Sequence, residues 1–167
     1  MKTRAFNATA EGQLTNAAIC AKCGGTCCKQ SAGIYWPEEI ELTVAAIVAR
    51  VTRGEWAVDW WEGDPSEGGD RDCIRWVRPA HKNARGKPID PSWSGECIFL
   101  GKHGCRVQFE RRPKQCRMLV PLPLQDREAN GGCHYEDEYS GKEAAAFAWL
   151  PHQELMDKVV LTLEEDA

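Results

Sequence analysis

No stretch of this sequence is apolar enough to span a membrane. A spanning helix needs about 20 consecutive apolar residues, and polar or charged residues interrupt every run here. The first twelve residues, Met1 to Gly12, include Lys2 and Arg4 but no apolar run behind them. A secretory signal needs roughly 7–15 apolar residues in that place. The expectation is a cytoplasmic protein with no membrane partner. An excess of positive charge is lacking too: 21 Lys+Arg stand against 25 Asp+Glu, a formal net charge of -4. Nucleic-acid binding by bulk electrostatics is therefore not expected, although a local basic patch is compatible with these numbers. No internal repeat is evident, and 167 residues suit a single domain.

Cysteine is present in excess. Nine residues, about 5% of the chain, are cysteine, more than a hydrophobic core requires. A chain of this length buries roughly two-thirds of its surface on folding, so it does not need disulfides to make a core. A reducing cytosol disfavours them in any case, and an odd count prevents complete internal pairing. Clustered cysteines in that setting point to metal ligands or a redox centre.

Four stretches can be distinguished. A polar lead-in runs to residue 19 and ends in the dense segment Cys20-Ala21-Lys22-Cys23-Gly24-Gly25-Thr26-Cys27-Cys28. From Trp36 to about Arg53 the spacing predicts a helix. Pro37 and the acidic Glu38 and Glu39 suit its start, Gly54 its stop, and Ile40, Val44, Ile47, Val48 and Val51 share one face. Residues 55 to about 95 are rich in Gly, Asp, Pro and Trp, with a turn-prone segment from Gly63 to Asp70. Within them, Ile74-Arg75-Trp76-Val77-Arg78 predicts a short strand before Pro79, and the segment on to Pro91 predicts loop. The last stretch carries Cys97, Cys105, Cys116 and Cys133, then a closing helix over about 142–163 that Pro151 kinks or splits. The predicted fold class is α+β, predominantly helical with short strands and much irregular structure. It is a single small domain, 1–167, organised around a cysteine-ligated metal centre.

The spacing of the cysteines carries the chemistry. Cys20-x2-Cys23 lets two thiolates turn toward one ion, as in zinc ribbons and iron–sulfur loops. Gly24 and Gly25 let the backbone bend and leave amide N–H groups available to sulfur. Cys27-Cys28 is different, because neighbouring side chains in extended backbone diverge. Either a local turn brings both sulfurs to one ion or the two residues serve separate centres. Cys97, Cys105, Cys116 and Cys133 supply a second group of four. Four early and four late cysteines suffice for two four-thiolate sites, leaving Cys73 as a small buried residue unless Cys73 and Cys133 exchange roles. His103 and His134 are the histidines best placed to replace a thiolate, whereas His81 and His152 read as hydrogen-bonded or surface residues.

Four separated blocks then match a known pattern in order: Cys20-x2-Cys23-x3-Cys27-Cys28, Gly95-Glu96-Cys97-Ile98-Phe99-Leu100, Gly104-Cys105 and Arg112-Pro113-x2-Cys116-Arg117. Over residues 20–123 the chain resembles the YkgJ-type cysteine-cluster family of zinc- or iron-chelating proteins. The resemblance implies metal or iron–sulfur binding through Cys20, Cys23, Cys27, Cys28, Cys97, Cys105 and Cys116, with Cys133 matching more weakly. A similar cluster occurs in flagellin lysine N-methylases. This chain is short for such an enzyme and has no glycine-rich S-adenosylmethionine loop.

Other residues read more plainly. Arg112 and Arg117 flank Cys116 and are expected to pair with carboxylates, with neutralisation of an anionic cluster as the functional alternative. The tryptophans, including Trp36, Trp60, Trp61, Trp76, Trp93 and Trp149, are expected chiefly in the core. Cysteine hydrolase chemistry is set aside, since metal ligation accounts better for the thiols. The functional expectation is a cytoplasmic metal-binding protein, redox or accessory in role, holding an iron–sulfur cluster or zinc or iron in one or two centres. A structural zinc interaction module and a component of a protein-modifying, methyltransferase-like enzyme are the alternatives, and a protein partner fits all three. The spacing lacks both the x2-x2-x3 run of bacterial ferredoxins and the paired knuckles of a zinc ribbon, so it does not choose the metal.

Overall fold

Two antiparallel strands form the floor on which the helices pack. The computed structural model describes residues 24–61, 73–84, 87–90, 95–119 and 142–166. Cys20, Cys23, Cys133, His134, Trp93 and the turn-prone segment 63–70 lie outside the described residues. Within them the chain is a small α+β domain with two antiparallel two-stranded sheets.

The larger sheet pairs β1 (Trp56–Trp61) with β2 (Ile74–Pro79), in a register that sets Ala57 opposite Arg78 and Asp59 opposite Trp76. Trp and Val make up four of the six residues of β1, and β2 carries Ile74, Trp76 and Val77; such side chains fit a pleated, buried surface. All of β2 except Arg75 is buried, so both faces of this ladder are covered. A strap at 88–90 extends β1 on its other edge: Val58 N–H donates to Pro88 O at 3.0 Å, and Asp90 N–H donates to Val58 O at 2.9 Å. On the β2 side, Tyr35 N–H donates to Val77 O at 3.1 Å. The smaller sheet is a hairpin of β3 (Leu100–Gly101) and β4 (Gly104–Cys105).

The helix expected from Trp36 begins later. Pro37–Glu39 make one 3-10 turn, and the α-helix runs Val44–Thr52. Thr43 is its N-cap, its hydroxyl oxygen accepting from Ala46 N–H at 3.2 Å. Glu39 is diverted from the helix start, accepting instead from Trp36 N–H at 2.7 Å and Lys114 N–H at 2.8 Å. Ile47 and Val51 of this helix face the core, where it packs against β1 and the C-terminal helix Gln153–Glu165. The closing region is split as Pro151 predicts. Lys142–Phe147 is one helix, Leu150–His152 a 3-10 turn, and Gln153–Glu165 the last helix. In chain order the α-helices are α1 (Thr26–Gln30), α2 (Val44–Thr52), α3 (Lys114–Arg117), α4 (Lys142–Phe147) and α5 (Gln153–Glu165).

Ile34, Ile47, Trp76, Trp149, Met156 and Val159 make the centre of the core, with the Trp56 and Tyr35 rings in tilted contact, centroids 5.0 Å apart, on its margin. Trp149 ties the halves together, its indole N–H donating to Tyr35 O at 2.7 Å. Trp60, Trp76 and Trp149 are buried, in keeping with a core role.

Candidate metal centre

The cysteine-bearing segments lie beside the large sheet and are fastened to one another by backbone hydrogen bonds. α1 carries Cys27 and Cys28. Gly24 and Gly25 before it have φ of 63° and 73°, a left-handed conformation that costs glycine little. A Cβ at Gly25 would stand 2.4 Å from Leu100 Cδ1, so α1 sits directly on the β3–β4 hairpin. Leu100 is paired with Cys105 in that hairpin.

Cys97 sits in a segment held on both edges. On one edge its N–H donates to Cys28 O at 2.8 Å, and Gly95 N–H donates to Gln30 O at 2.8 Å. On the other, Cys97 opposes His81 in an antiparallel bridge, flanked by Lys82 N–H to Glu96 O and Ile98 N–H to Ala80 O, both 2.8 Å. Those two bonds mark a non-hydrogen-bonded pair, the kind in which side chains approach most closely on one face. Cys116, on α3, arrives from a third direction. A Cβ at Gly33 would lie 2.3 Å from its Sγ. Gln115 beside it accepts from Ile34 N–H at 2.6 Å and so fixes α3 against the 32–35 segment.

The thiols sense one another. Burial pushes the Cys116 thiol well up, and charge on Cys97, Cys27 or Cys105 pushes it further. A hydrogen bond with the Gly33 backbone acts the other way. Burial likewise raises the Cys97 thiol to about 11, with charge on Cys105 adding to the rise. Backbone hydrogen bonds from Phe99 and Leu100, and the Arg78 guanidinium, oppose it. Such backbone N–H groups stabilise thiolate, as they do in cysteine-ligated metal sites. Cys27, Cys97, Cys105 and Cys116 therefore form one neighbourhood. Among the described residues, however, no three His, Cys, Asp or Glu side chains are placed to hold a single metal ion. Cys27 and Cys28 follow one another in α1, so their side chains leave the helix about 100° apart. Cys73 is buried just before β2, and the thiols of Cys28, Cys97, Cys105 and Cys116 are not in disulfides.

The flanking residues brace this arrangement. Arg112 Nε donates to Val107 O at 2.9 Å, Arg117 Nε donates to Arg112 O at 3.1 Å, and Arg117 pairs with Glu39. Arg112 thus braces the segment leading into α3, and Arg117 ties α3, which carries Cys116, back to that segment and to Glu39. His103 is exposed in the β3–β4 turn, and His152 packs edge-on against Trp149 at 6.2 Å.

One group escapes a reading by motif. Arg78, only 1% exposed, donates from Nε to Asp59 Oδ2 at 2.7 Å and from an Nη to Asp90 Oδ2 at 2.8 Å. His81, fully buried, lies with Nδ1 3.3 Å from the same Asp90 oxygen. The available signal was periodicity: Arg78 shares a strand face with Ile74 and Trp76, both buried. No family model, curated protein or solved structure matches this chain.

Proposed function

We propose that the protein binds an iron–sulfur cluster, or an iron or zinc ion, through cysteine thiolates. Cys27, Cys97, Cys105 and Cys116 form the described part of the ligand set, and Cys20, Cys23, Cys28 and Cys133 complete one or two centres. The observation that carries this reading is convergence. Four thiols from α1, the 95–98 segment, the hairpin and α3 come into one neighbourhood, and backbone N–H groups are directed to two of them. The donor chemistry fits a soft or borderline metal. The resemblance of four sequence blocks to the cysteine-cluster family adds to it.

In this reading the protein's own contribution is to bring thiols from distant segments together, exclude water around Cys97, and direct backbone N–H groups to Cys97 and Cys116 that favour their deprotonated form. A bound cluster would supply one-electron redox chemistry, and a bound zinc ion about 10 kcal/mol or more of folding free energy. Raised thiol pKa values mean that uptake near neutral pH displaces protons from Cys97 and Cys116. The expected role is that of a cytoplasmic redox or accessory component.

Anaerobic purification followed by metal and acid-labile sulfide analysis tests the proposal. Stoichiometric iron with sulfide supports the cluster, and stoichiometric zinc without sulfide replaces it with a structural zinc site. A protein that folds normally in strong chelator and takes up neither metal ends the reading. Replacing Cys116 or Cys97 with Ser is expected to lower metal content and melting temperature together, whereas Cys73→Ser is expected to leave metal content unchanged.

A further inference from the structure

His81 touches both of the segments that bring the early and late cysteines together. Its Nε2 accepts from Ala32 N–H at 3.3 Å, in the segment that continues from Cys27 and Cys28. Its backbone opposes Cys97 in the close, non-hydrogen-bonded register. Its Nδ1 faces Asp90 Oδ2, the oxygen that also receives Arg78. The ring itself is roofed by Gly95: a Cβ there would stand 2.6 Å from Cγ and 2.7 Å from Nδ1. The imidazole is 0% exposed. An Nε2 that accepts requires the proton on Nδ1, so the Asp90 carboxylate selects the tautomer that leaves Nε2 open to Ala32.

We propose that His81 is a positioning residue for the thiol centre: oriented by Asp90, its Nε2 docks the Cys27–Cys28 arm onto the Cys97 segment. The proposal rests on the metal-binding reading for its consequence but not for its geometry. The contact with Ala32 is what couples the two thiol-bearing segments, together with the backbone bonds from Cys97 to Cys28 and from Gly95 to Gln30.

Two substitutions separate the two nitrogens. The Asn amide occupies the place of Nδ1 and the Gln amide that of Nε2. His81→Gln therefore keeps an acceptor for Ala32 and gives up Asp90, while His81→Asn does the reverse. The expected result is that His81→Asn loses metal affinity by about 10–100-fold, as the loss of a supporting contact does elsewhere, and that His81→Gln stays near wild type. A purely structural role predicts instead that metal loss follows melting temperature in both variants. Equal losses in the two, or full affinity in His81→Asn, overturn the proposal.

Amide hydrogen exchange at Ala32 in metal-free protein gives the independent readout. Protection is expected in wild type and His81→Gln, with fast exchange in His81→Asn. If wild type takes up neither metal nor sulfide, the metal-binding reading falls while Ala32 exchange still decides the docking. An Ala32 amide equally protected in all three proteins defeats the docking claim, whatever the metal does.

Discussion

A single methyl group at position 33 would test how tightly the thiol neighbourhood is built. Gly33 has room for no Cβ, because Cys116 Sγ would lie 2.3 Å from it and Cys116 N 3.3 Å. Gly33→Ala must therefore turn the Cys116 side chain to another rotamer or shift α3 or the 32–35 segment, and overpacking of this kind costs about 1–3 kcal/mol. The expected outcome is a lower melting temperature and a Cys116 that alkylates faster in metal-free protein. An unchanged alkylation rate would show that α3 absorbs the shift without moving its thiol. The same scale carries a pH dependence. The Cys97 thiol is raised from 9.0 to about 11, so folded, metal-free protein holds this proton more tightly than the unfolded chain does. The stabilisation is intact below about pH 9 and is lost as pH rises through about 11, a change of roughly 2–3 kcal/mol. Urea melts of chelated protein between roughly pH 8 and 11 would read it. At this scale the cysteine pattern stands out because its spacing is unusual, whereas for Arg78 strand periodicity marks only the buried face and nothing local names Asp59 and Asp90 as its partners.

Among the elements, what could be read from the sequence was set by local chemistry and what could not was set by tertiary partners. Pro151 divides α4 from α5 because a proline cannot continue the helix through its missing N–H. The strand at Ile74 was legible from its apolar spacing, but its partner β1 was obscured by a stretch rich in Gly, Asp, Pro and Trp. The helical face beginning at Ile40 was read correctly for Ile47 and Val51 and too early for its start. Thr43 sets that start by capping, and Glu39 is drawn away to the backbone of Trp36 and Lys114. Thr43→Ala is accordingly expected to cost about 1 kcal/mol through the lost cap, measurable by chemical denaturation, with metal content unchanged because α2 carries no thiol. A fall in metal content with that substitution would show that α2 is coupled to the cysteine neighbourhood.

At the scale of the whole molecule, β1, β2 and the strap at 88–90 are joined by a buried ionic group as well as by backbone hydrogen bonds. Arg78 on β2 reaches Asp59 on β1 and Asp90 on the strap, and Asp90 passes the contact to His81 beside Cys97. Sequence separations of 19 between Asp59 and Arg78 and 12 between Arg78 and Asp90 explain why no motif reveals the group. Desolvating these charges is expensive, and their mutual attraction offsets the cost only while each has its partner. Removing the arginine leaves two carboxylates facing each other in a buried site, whereas removing one carboxylate leaves Arg78 still neutralised by the other. Arg78→Met is therefore expected to destabilise the protein by about 3–5 kcal/mol, and Asp59→Asn by distinctly less. If the group serves only to join β1 to the strap, the Arg78→Met and Asp59→Asn double variant should recover little stability and metal content should follow stability throughout. If it also orients His81, Asp90→Asn should lose metal affinity out of proportion to its melting temperature, because Asp90 touches both Arg78 and the imidazole. Equal ratios of metal loss to stability loss in the Asp59 and Asp90 variants would assign the group to folding alone.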